Sequence, residues 1–137
     1  MRIITYPYLQ AIGTGDSMYG LREDINLKFF IGRTLENVNF GIAIVQLLFD
    51  EETGISVEMH LEHQSKETLS VWDGDQHIAA VASLVHLIGC TITNIETQTD
   101  GTLTLVFSNG DVVTLYDDTS LYQAYHIWHG DDPMIVV

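Results

Sequence analysis

The sequence predicts an α+β fold: a mostly antiparallel β-sheet built from two duplicated strand units, with one main helix packed on it. Residues 87–116 contain three apolar-alternating segments separated by Asp100-Gly101 and Asn109-Gly110, dipeptides that tolerate the positive φ angles of hairpin turns. This stretch therefore predicts an antiparallel meander. Its inward-facing residues are predicted to be Leu103, Leu105 and Phe107.

An internal repeat supports this architecture. Residues 31–58 and 88–115 begin with IGRTLENV and IGCTITNI, in which Ile, Gly, Thr and Asn are identical. Because two copies are too few for a solenoid, we expect one domain over residues 1–137 with a single core. The apolar alternation changes phase at the same place in both copies, which predicts a bulge at Asn37 and at Asn94.

The chain before the first repeat predicts little regular structure. Residues 2–9 resemble a short strand interrupted by Pro7, and proline within a strand favours an edge position. Residues 13–20, GTGDSMYG, predict a flexible loop that lacks the third glycine of a dinucleotide fingerprint and the lysine of a P-loop. Asp24 is the expected N-cap of a short helix over residues 25–31 ended by a glycine, with a strand as the alternative.

The first repeat continues with two expected strands. Residues 38–50 are largely apolar and predict a central strand with apolar residues on both faces, followed by a turn at residues 51–54. Residues 55–63 alternate apolar and polar side chains, which predicts one amphipathic strand. Its apolar face contains Ile55, Val57, Met59 and Leu61.

The main helix is expected at residues 76–88, between a plausible N-cap at Asp75 and a left-handed C-terminal position at Gly89. Its apolar positions follow α-helical spacing. They are Ile78, Val81, Ala82, Val85 and Ile88. At the other end of the chain, residues 134–137 predict a last strand paired into the sheet.

Composition restricts the classes of function. The chain has 46% hydrophobic and 18% charged residues, one cysteine and no apolar run of the ~20 residues that cross a bilayer, so a cytoplasmic globular protein is expected. The net charge is −14, and residues 67–137 contain ten Asp and Glu but no Lys or Arg. Such a surface repels phosphate and anionic lipid, which argues against nucleic-acid and membrane binding and favours a basic protein partner.

Histidines suggest a metal site only weakly. His60 and His63 have the same spacing as His126 and His129, but residues three apart on a strand face opposite sides, so His60 and His63 do not chelate one metal together unless their segment is helical. A metal-dependent enzyme that uses His60, or the His126 and His129 pair, is therefore an alternative hypothesis.

The nucleophile candidates lack partners in sequence. Cys90 follows His86 by one helical turn, but its counterpart in the first repeat is Arg33, which indicates a structural or exposed position. Ser83 and His86 on the helix lack an evident third member of a hydrolytic triad. We therefore predict no catalytic residue and no cofactor.

Aromatic residues alternate with acids near the C-terminus, and this combination predicts a partner-binding surface, because aromatic anchors concentrate binding energy and acidic rims steer association. The alternative is that most of these aromatics lie in the core. The predicted surface consists of Tyr116, Asp117, Asp118, Tyr122, Tyr125, Trp128, Asp131 and Asp132.

The repeat motif, the segment GTLTLVFSNGDVVTLYDD and the closing YQAYHIWHGDDPMIVV resemble a family of small bacterial proteins of unknown biochemical function, over about residues 27–137. Members are often encoded beside polymorphic toxins and are regarded as candidate immunity proteins. The resemblance implies a non-enzymatic acidic module that binds a basic partner such as a toxin domain. The family pattern has an acid and a serine where this chain has Gln123 and Ala124.

A further alternative is an acidic mimic of nucleic acid that inhibits a DNA-binding protein.

Overall fold

A computed structural model describes residues 2–5, 8–9, 25–74, 76–117 and 124–137, which form two antiparallel β-sheets and two 3-10 helices. The strands are β1 (Arg2–Thr5), β2 (Tyr8–Leu9), β3 (Leu35–Phe40), β4 (Val45–Phe49), β5 (Thr53–Val57), β6 (His60–Gln64), β7 (Leu69–Trp72), β8 (Ile92–Thr97), β9 (Leu103–Phe107), β10 (Val112–Tyr116), β11 (Tyr125–His129) and β12 (Met134–Val136). The first helix covers Lys28–Phe30 and the second covers Ile78–Leu87. Sheet 1 has the order β2-β1-β12-β11-β5-β4-β3, and sheet 2 has the order β7-β6-β10-β9-β8.

The two strand units predicted from the repeat are present and share one topology. Strands β3-β4-β5 and β8-β9-β10 are both antiparallel meanders. Each has a register shift near its start, between Leu35 and Asn37 in the first unit and between Ile92 and Asn94 in the second. The predicted bulges at both asparagines are therefore confirmed.

Each meander is extended by a hairpin from the other half of the chain. The hairpin β6-β7 follows the first meander but pairs with β10, whereas β11-β12 follows the second meander but pairs with β5. The register is equivalent in the two cases, since Val57 lies opposite Tyr125 and Leu115 lies opposite Leu61. The duplication thus extends beyond the predicted residues and includes an exchange of hairpins between the two sheets.

A local two-fold relation joins the halves where each enters its meander. The reciprocal hydrogen bonds run from Gly32 N to Ile92 O and from Gly89 N to Leu35 O, both 2.8 Å. Between them, Thr34 and Thr91 form an antiparallel bridge, each lying opposite its own counterpart. This symmetry lets counterpart positions in the two halves be compared directly.

The inner faces of both sheets share one hydrophobic core. The predicted inward residues of β9 are all buried, and so are their counterparts Val45, Leu47 and Phe49 on β4. Across the core, Phe49 stacks on Phe107 with ring centroids 6.4 Å apart. Within the described part of the chain, no helix has the length and apolar character needed to span a membrane.

Three predictions within residues 38–63 are wrong. The apolar run at 38–50 is a hairpin of β3 and β4, because the chain turns at residues 41–44. The segment 55–63 is two strands in different sheets, since the chain crosses between sheets at residues 58–59. The turn expected at 51–54 lies earlier, with Glu51 and Glu52 at positive φ and the glycine already inside β5.

The main helix is confirmed in position but not in geometry. It is a 3-10 helix over Ile78–Leu87 with a non-helical kink at Val81. Because side chains three residues apart eclipse in a 3-10 helix, the buried residues after the kink are Leu84 and Leu87, while the predicted inward Ala82, Val85 and Ile88 are exposed. The helix is capped by His77, whose Nδ1 accepts from Ala79 N at 3.1 Å.

The ends of the chain follow the predictions in outline. Strand β2 lies at the edge of sheet 1, and β12 is paired on both sides, with β1 and β11. The short helix expected at 25–31 is a single 3-10 turn that covers Lys28–Phe30. The predictions for Pro7, the loop 13–20 and the caps Asp24 and Asp75 lie outside the described residues.

Candidate functional site

The predicted partner surface does not form one continuous patch. Strand β11 places Tyr125 at one end and Trp128, followed by Asp131 and Asp132, at the other, so the two ends are roughly 13 Å apart along the strand. Tyr116 and Asp117 lie at the Tyr125 end. The predicted contacts Asp118 and Tyr122 lie outside the described residues.

Tyr125 is a core residue rather than an exposed anchor. Its side chain is fully buried, and its hydroxyl donates to the Gly101 carbonyl of the other sheet at 2.6 Å. Burial, together with the negative charges of Asp117 and Asp100, raises the pKa of the Tyr125 phenol well above its ordinary value of 10.0. Tyr125 therefore links the two sheets and is removed from the predicted surface.

The turn that receives this hydrogen bond requires glycine. Gly101 has a φ of +96°, and a Cβ at this position would lie 2.6 Å from the Cβ of Asp117. Asp117 itself is half-buried. The three residues Tyr125, Gly101 and Asp117 therefore form one packed contact between the sheets.

Tyr116 stays partly accessible next to this contact. Its hydroxyl donates to Glu62 Oε1 at 3.2 Å, and its ring lies 4.3 Å from the His60 imidazole. Burial and the negative charge of Glu62 raise the pKa of the Tyr116 phenol. Tyr116 is held by neighbours within its own sheet, so its exposed edge is preorganised.

A pocket of about 280 Å³ opens at the opposite end, between the first helix and strands β11 and β12. Phe29 and His129 stack on each other in its wall, with ring centroids 4.2 Å apart and planes within 5° of parallel. His129 Nδ1 lies 3.2 Å from Asp132 Oδ2. The pocket is lined by Ile25, Asn26, Phe29, Ile127, His129, Asp132, Pro133 and Ile135.

Two acidic turns stand beside the pocket. The turn between β4 and β5 carries Glu51 and Glu52, and the turn between β11 and β12 carries Asp131 and Asp132. The Gly130 amide donates to the Glu52 carbonyl at 2.9 Å, which holds the two turns together. All four carboxylates are exposed, so this end of sheet 1 presents a concentrated negative charge, here named the acidic rim.

A buried polar chain that the sequence reasoning missed joins the second helix to sheet 2. His63 Nδ1 lies 2.8 Å from Ser83 Oγ, and His63 Nε2 lies 2.8 Å from Asp111 Oδ2. Ser83 Oγ in turn lies 3.2 Å from Ser70 Oγ. The alternation of side chains along a strand could have predicted this burial, because His63 lies two residues after the inward-facing Leu61 and therefore faces the same side of the strand.

The pocket and this polar chain occupy counterpart places at the two sheets. Ile127 and Ile135 face each other across β11 and β12 as His63 and Ser70 do across β6 and β7, and in the repeat register Asn26 corresponds to Ser83. At sheet 2 these positions are joined by hydrogen bonds. At sheet 1 their counterparts line the pocket.

The order in which Ser83, His63 and Asp111 contact one another is that of a hydrolytic triad, but the geometry of the three side chains favours a structural link. The His63 side chain is only 2% exposed, and a general acid must reach the leaving group of a substrate. The two ring nitrogens of His63 lie within hydrogen-bond distance of Ser83 Oγ and Asp111 Oδ2. The arrangement satisfies a buried imidazole and ties the helix to the sheet.

The histidines proposed as metal ligands are not brought together. His60 lies 3.3 Å from Glu62, while His63 points to the opposite face. His126 and His129 lie on opposite faces of β11. Among the described residues, no three His, Cys, Asp or Glu side chains are arranged to hold a metal ion.

The nucleophile candidate Cys90 is partly buried and packs against the core.

Comparison with known proteins places the chain in a family. No curated protein and no solved structure showed a match. The model of one family matches residues 27–137, a range that begins next to the first helix and includes both repeats and both exchanged hairpins. The chain therefore belongs to the family described as a family of unknown function, DUF6188.

Proposed function

We propose that this chain is a non-enzymatic, acidic binding module of the cytoplasm that binds a basic protein partner, as an immunity protein binds a toxin. The observation that carries the proposal is the acidic rim. It places four exposed carboxylates, Glu51, Glu52, Asp131 and Asp132, beside an open pocket with an aromatic wall. A charged rim around an apolar recess is the arrangement that orients a partner and then holds it.

The distribution of charge supports a basic partner. The net charge is −14, and no Lys or Arg follows Lys66 in the chain. Of the earlier basic residues, Arg33 lies 3.9 Å from Asp50 and is partly neutralised by it. The long-range field is therefore negative, which accelerates encounter with a positively charged protein.

The structure changes which predicted residues belong to the proposed surface. Asp131 and Asp132 stay in it as rim charges, whereas Trp128, half-buried with its ring over Gly54, lies on the face of β11 opposite the pocket-lining Ile127 and His129. Glu51 and Glu52 join it. Tyr125 leaves it because it is buried.

Where a neighbouring gene encodes a basic protein, binding kinetics of this chain with that gene product test the proposal. The variant Glu52→Lys/Asp131→Lys is compared with Glu67→Lys/Glu96→Lys, which makes the same change in net charge at exposed positions of the part of the chain that forms sheet 2. We expect the rim variant to lower the association rate roughly tenfold at low salt and less at physiological salt, where charges are screened within ~8 Å.

The association rate of the control variant is expected to fall much less, because its substituted charges lie away from the proposed docking site. If the purified wild-type chain forms no complex with that basic protein even at low salt, the proposal is wrong. Equal losses in the two variants would show that only overall charge matters and would remove the acidic rim from the interface.

A further inference from the structure

The size of the pocket limits what it binds. Its volume is about 280 Å³, at the lower limit of the ~300–1,000 Å³ typical of sites for cofactors and drug-sized ligands. A recess of this size accommodates one long side chain, which makes a residue of a protein partner a suitable occupant.

The pocket is a point of difference between the two sheets. At sheet 2, Ser83, His63 and Ser70 are linked by contacts of 2.8 and 3.2 Å. At sheet 1, Ile127 and Ile135 occupy the equivalent strand positions and line the open recess. The same fold therefore accommodates a hydrogen-bonded polar group at this place in sheet 2 and an apolar recess in sheet 1.

The chemistry of the walls selects the occupant. Ile127 and Ile135 provide an apolar floor for methylene groups. The His129 imidazole is stacked on Phe29 on one face, while its side chain remains 35% exposed. A flat cation stacks favourably on such an aromatic surface.

The mouth of the pocket supplies the matching charge. Asp132 is 72% exposed, and only its Oδ2 is used in the contact with His129, while a carboxylate has about four acceptor sites. Glu51, Glu52 and Asp131, exposed on the two joined turns, add further negative charge at this end of sheet 1. A guanidinium group matches a carboxylate in a planar, bidentate manner, and its aliphatic stem suits an apolar floor.

We propose that this pocket receives one arginine side chain of the basic partner, with the stem against Ile127 and Ile135, the guanidinium over His129 and its charge paired with Asp132. The inference rests on the proposed function and identifies the contact that anchors the partner. Arginine fits better than lysine because a planar cation both stacks and bonds in two places.

Titration of the purified chain with N-acetyl-arginine amide, followed by NMR, tests the pocket without any partner. We expect saturable shifts of the Ile127, Ile135 and His129 signals. The matched probe is N-acetyl-citrulline amide, which has nearly the same shape without the charge and should bind more weakly by up to about fivefold, the upper limit that exposed ion pairs give. The absence of saturable shifts with the arginine probe, or equal binding of both probes, would overturn the proposal.

A variant locates the contact. Asp132→Asn keeps the shape of the side chain and removes its charge, so we expect it to lose most of the preference for arginine over citrulline. Glu96→Gln, an exposed position in sheet 2, makes the same charge change and should leave that preference intact. Retention of the full preference in Asp132→Asn would place the arginine elsewhere.

The two proposals fail in different ways. If the wild-type chain binds the arginine probe in the pocket but no basic protein, the proposed function is wrong and the pocket assignment stands. If it binds a basic protein and the affinity of Asp132→Asn for that protein is unchanged, the proposed function stands and the pocket assignment is wrong.

Discussion

The contact between Tyr125 and Gly101 offers a sharp test of how the two sheets are joined. Tyr125→Phe removes one buried hydroxyl and leaves the ring in place, so the Gly101 carbonyl loses a donor at 2.6 Å. Losing one partner of a buried hydrogen bond costs about 1–3 kcal/mol. For a chain of this size, we expect the melting temperature to fall by roughly 4–10 °C.

The same residue predicts how stability changes with pH. The folded-state pKa of Tyr125 is raised, by burial first and then by Asp117 and Asp100. Below the unfolded pKa of about 10 the phenol is protonated in both states, so its contribution is fully present. Above that pH the unfolded chain releases the proton and the folded chain retains it, so the free energy of unfolding falls by about 1.4 kcal/mol per pH unit from this group.

Urea unfolding followed by tryptophan fluorescence, from neutral pH to about pH 11, measures both effects. Tyr125→Phe should be less stable at neutral pH and should lose less stability on raising the pH. Tyr116→Phe is the control, because this half-buried phenol bonds to the partly exposed Glu62, whose carboxylate can bind water instead after the change, so it should cost less than Tyr125→Phe. If Tyr125→Phe matches the wild type in both neutral stability and alkaline slope, the buried hydrogen bond between the sheets does not exist.

Three further substitutions test packing and backbone geometry, each by urea or thermal unfolding. Gly54→Ala places a methyl group 2.2 Å from a ring carbon of Trp128 and should cost about 1–3 kcal/mol; the addition of Trp128→Ala should remove most of the clash. His63→Ile leaves Asp111 and its neighbours without their imidazole partner and should lower the free energy of unfolding by at least about 2 kcal/mol. The double variant His63→Ile/Asp111→Thr recreates the residues at the counterpart positions in sheet 1 and should recover more than half of that loss. Glu52→Gly relieves a φ of +54° at a non-glycine residue and should stabilise the chain by up to about 1 kcal/mol; an unchanged or lower stability would contradict the strain.

The candidate site was only partly predictable from local sequence patterns. The acids at 131–132 and the aromatic Trp128 could be named from sequence, because charge and residue type are local properties. Their grouping could not be predicted, since the acidic rim also requires Glu51 and Glu52 from another hairpin, joined through the Gly130 amide. Tyr125 was placed in the wrong environment because tyrosine suits both a sheet core and a binding surface.

The sequence by itself determined the α+β class, the meander, the duplication and both bulges, because turn dipeptides and period-two alternation act over a few residues. Only the tertiary structure decided that the hairpins β6-β7 and β11-β12 are exchanged between sheets. The alternation of inward and outward side chains from Ile55 to His63 continues unbroken where the chain passes from β5 in sheet 1 to β6 in sheet 2. Both sheets face the same core, so an inward residue stays inward in either sheet. The pairing partner of each hairpin, the burial of His63 and the pocket beside His129 all depend on contacts between residues far apart in the chain, for which no local pattern exists.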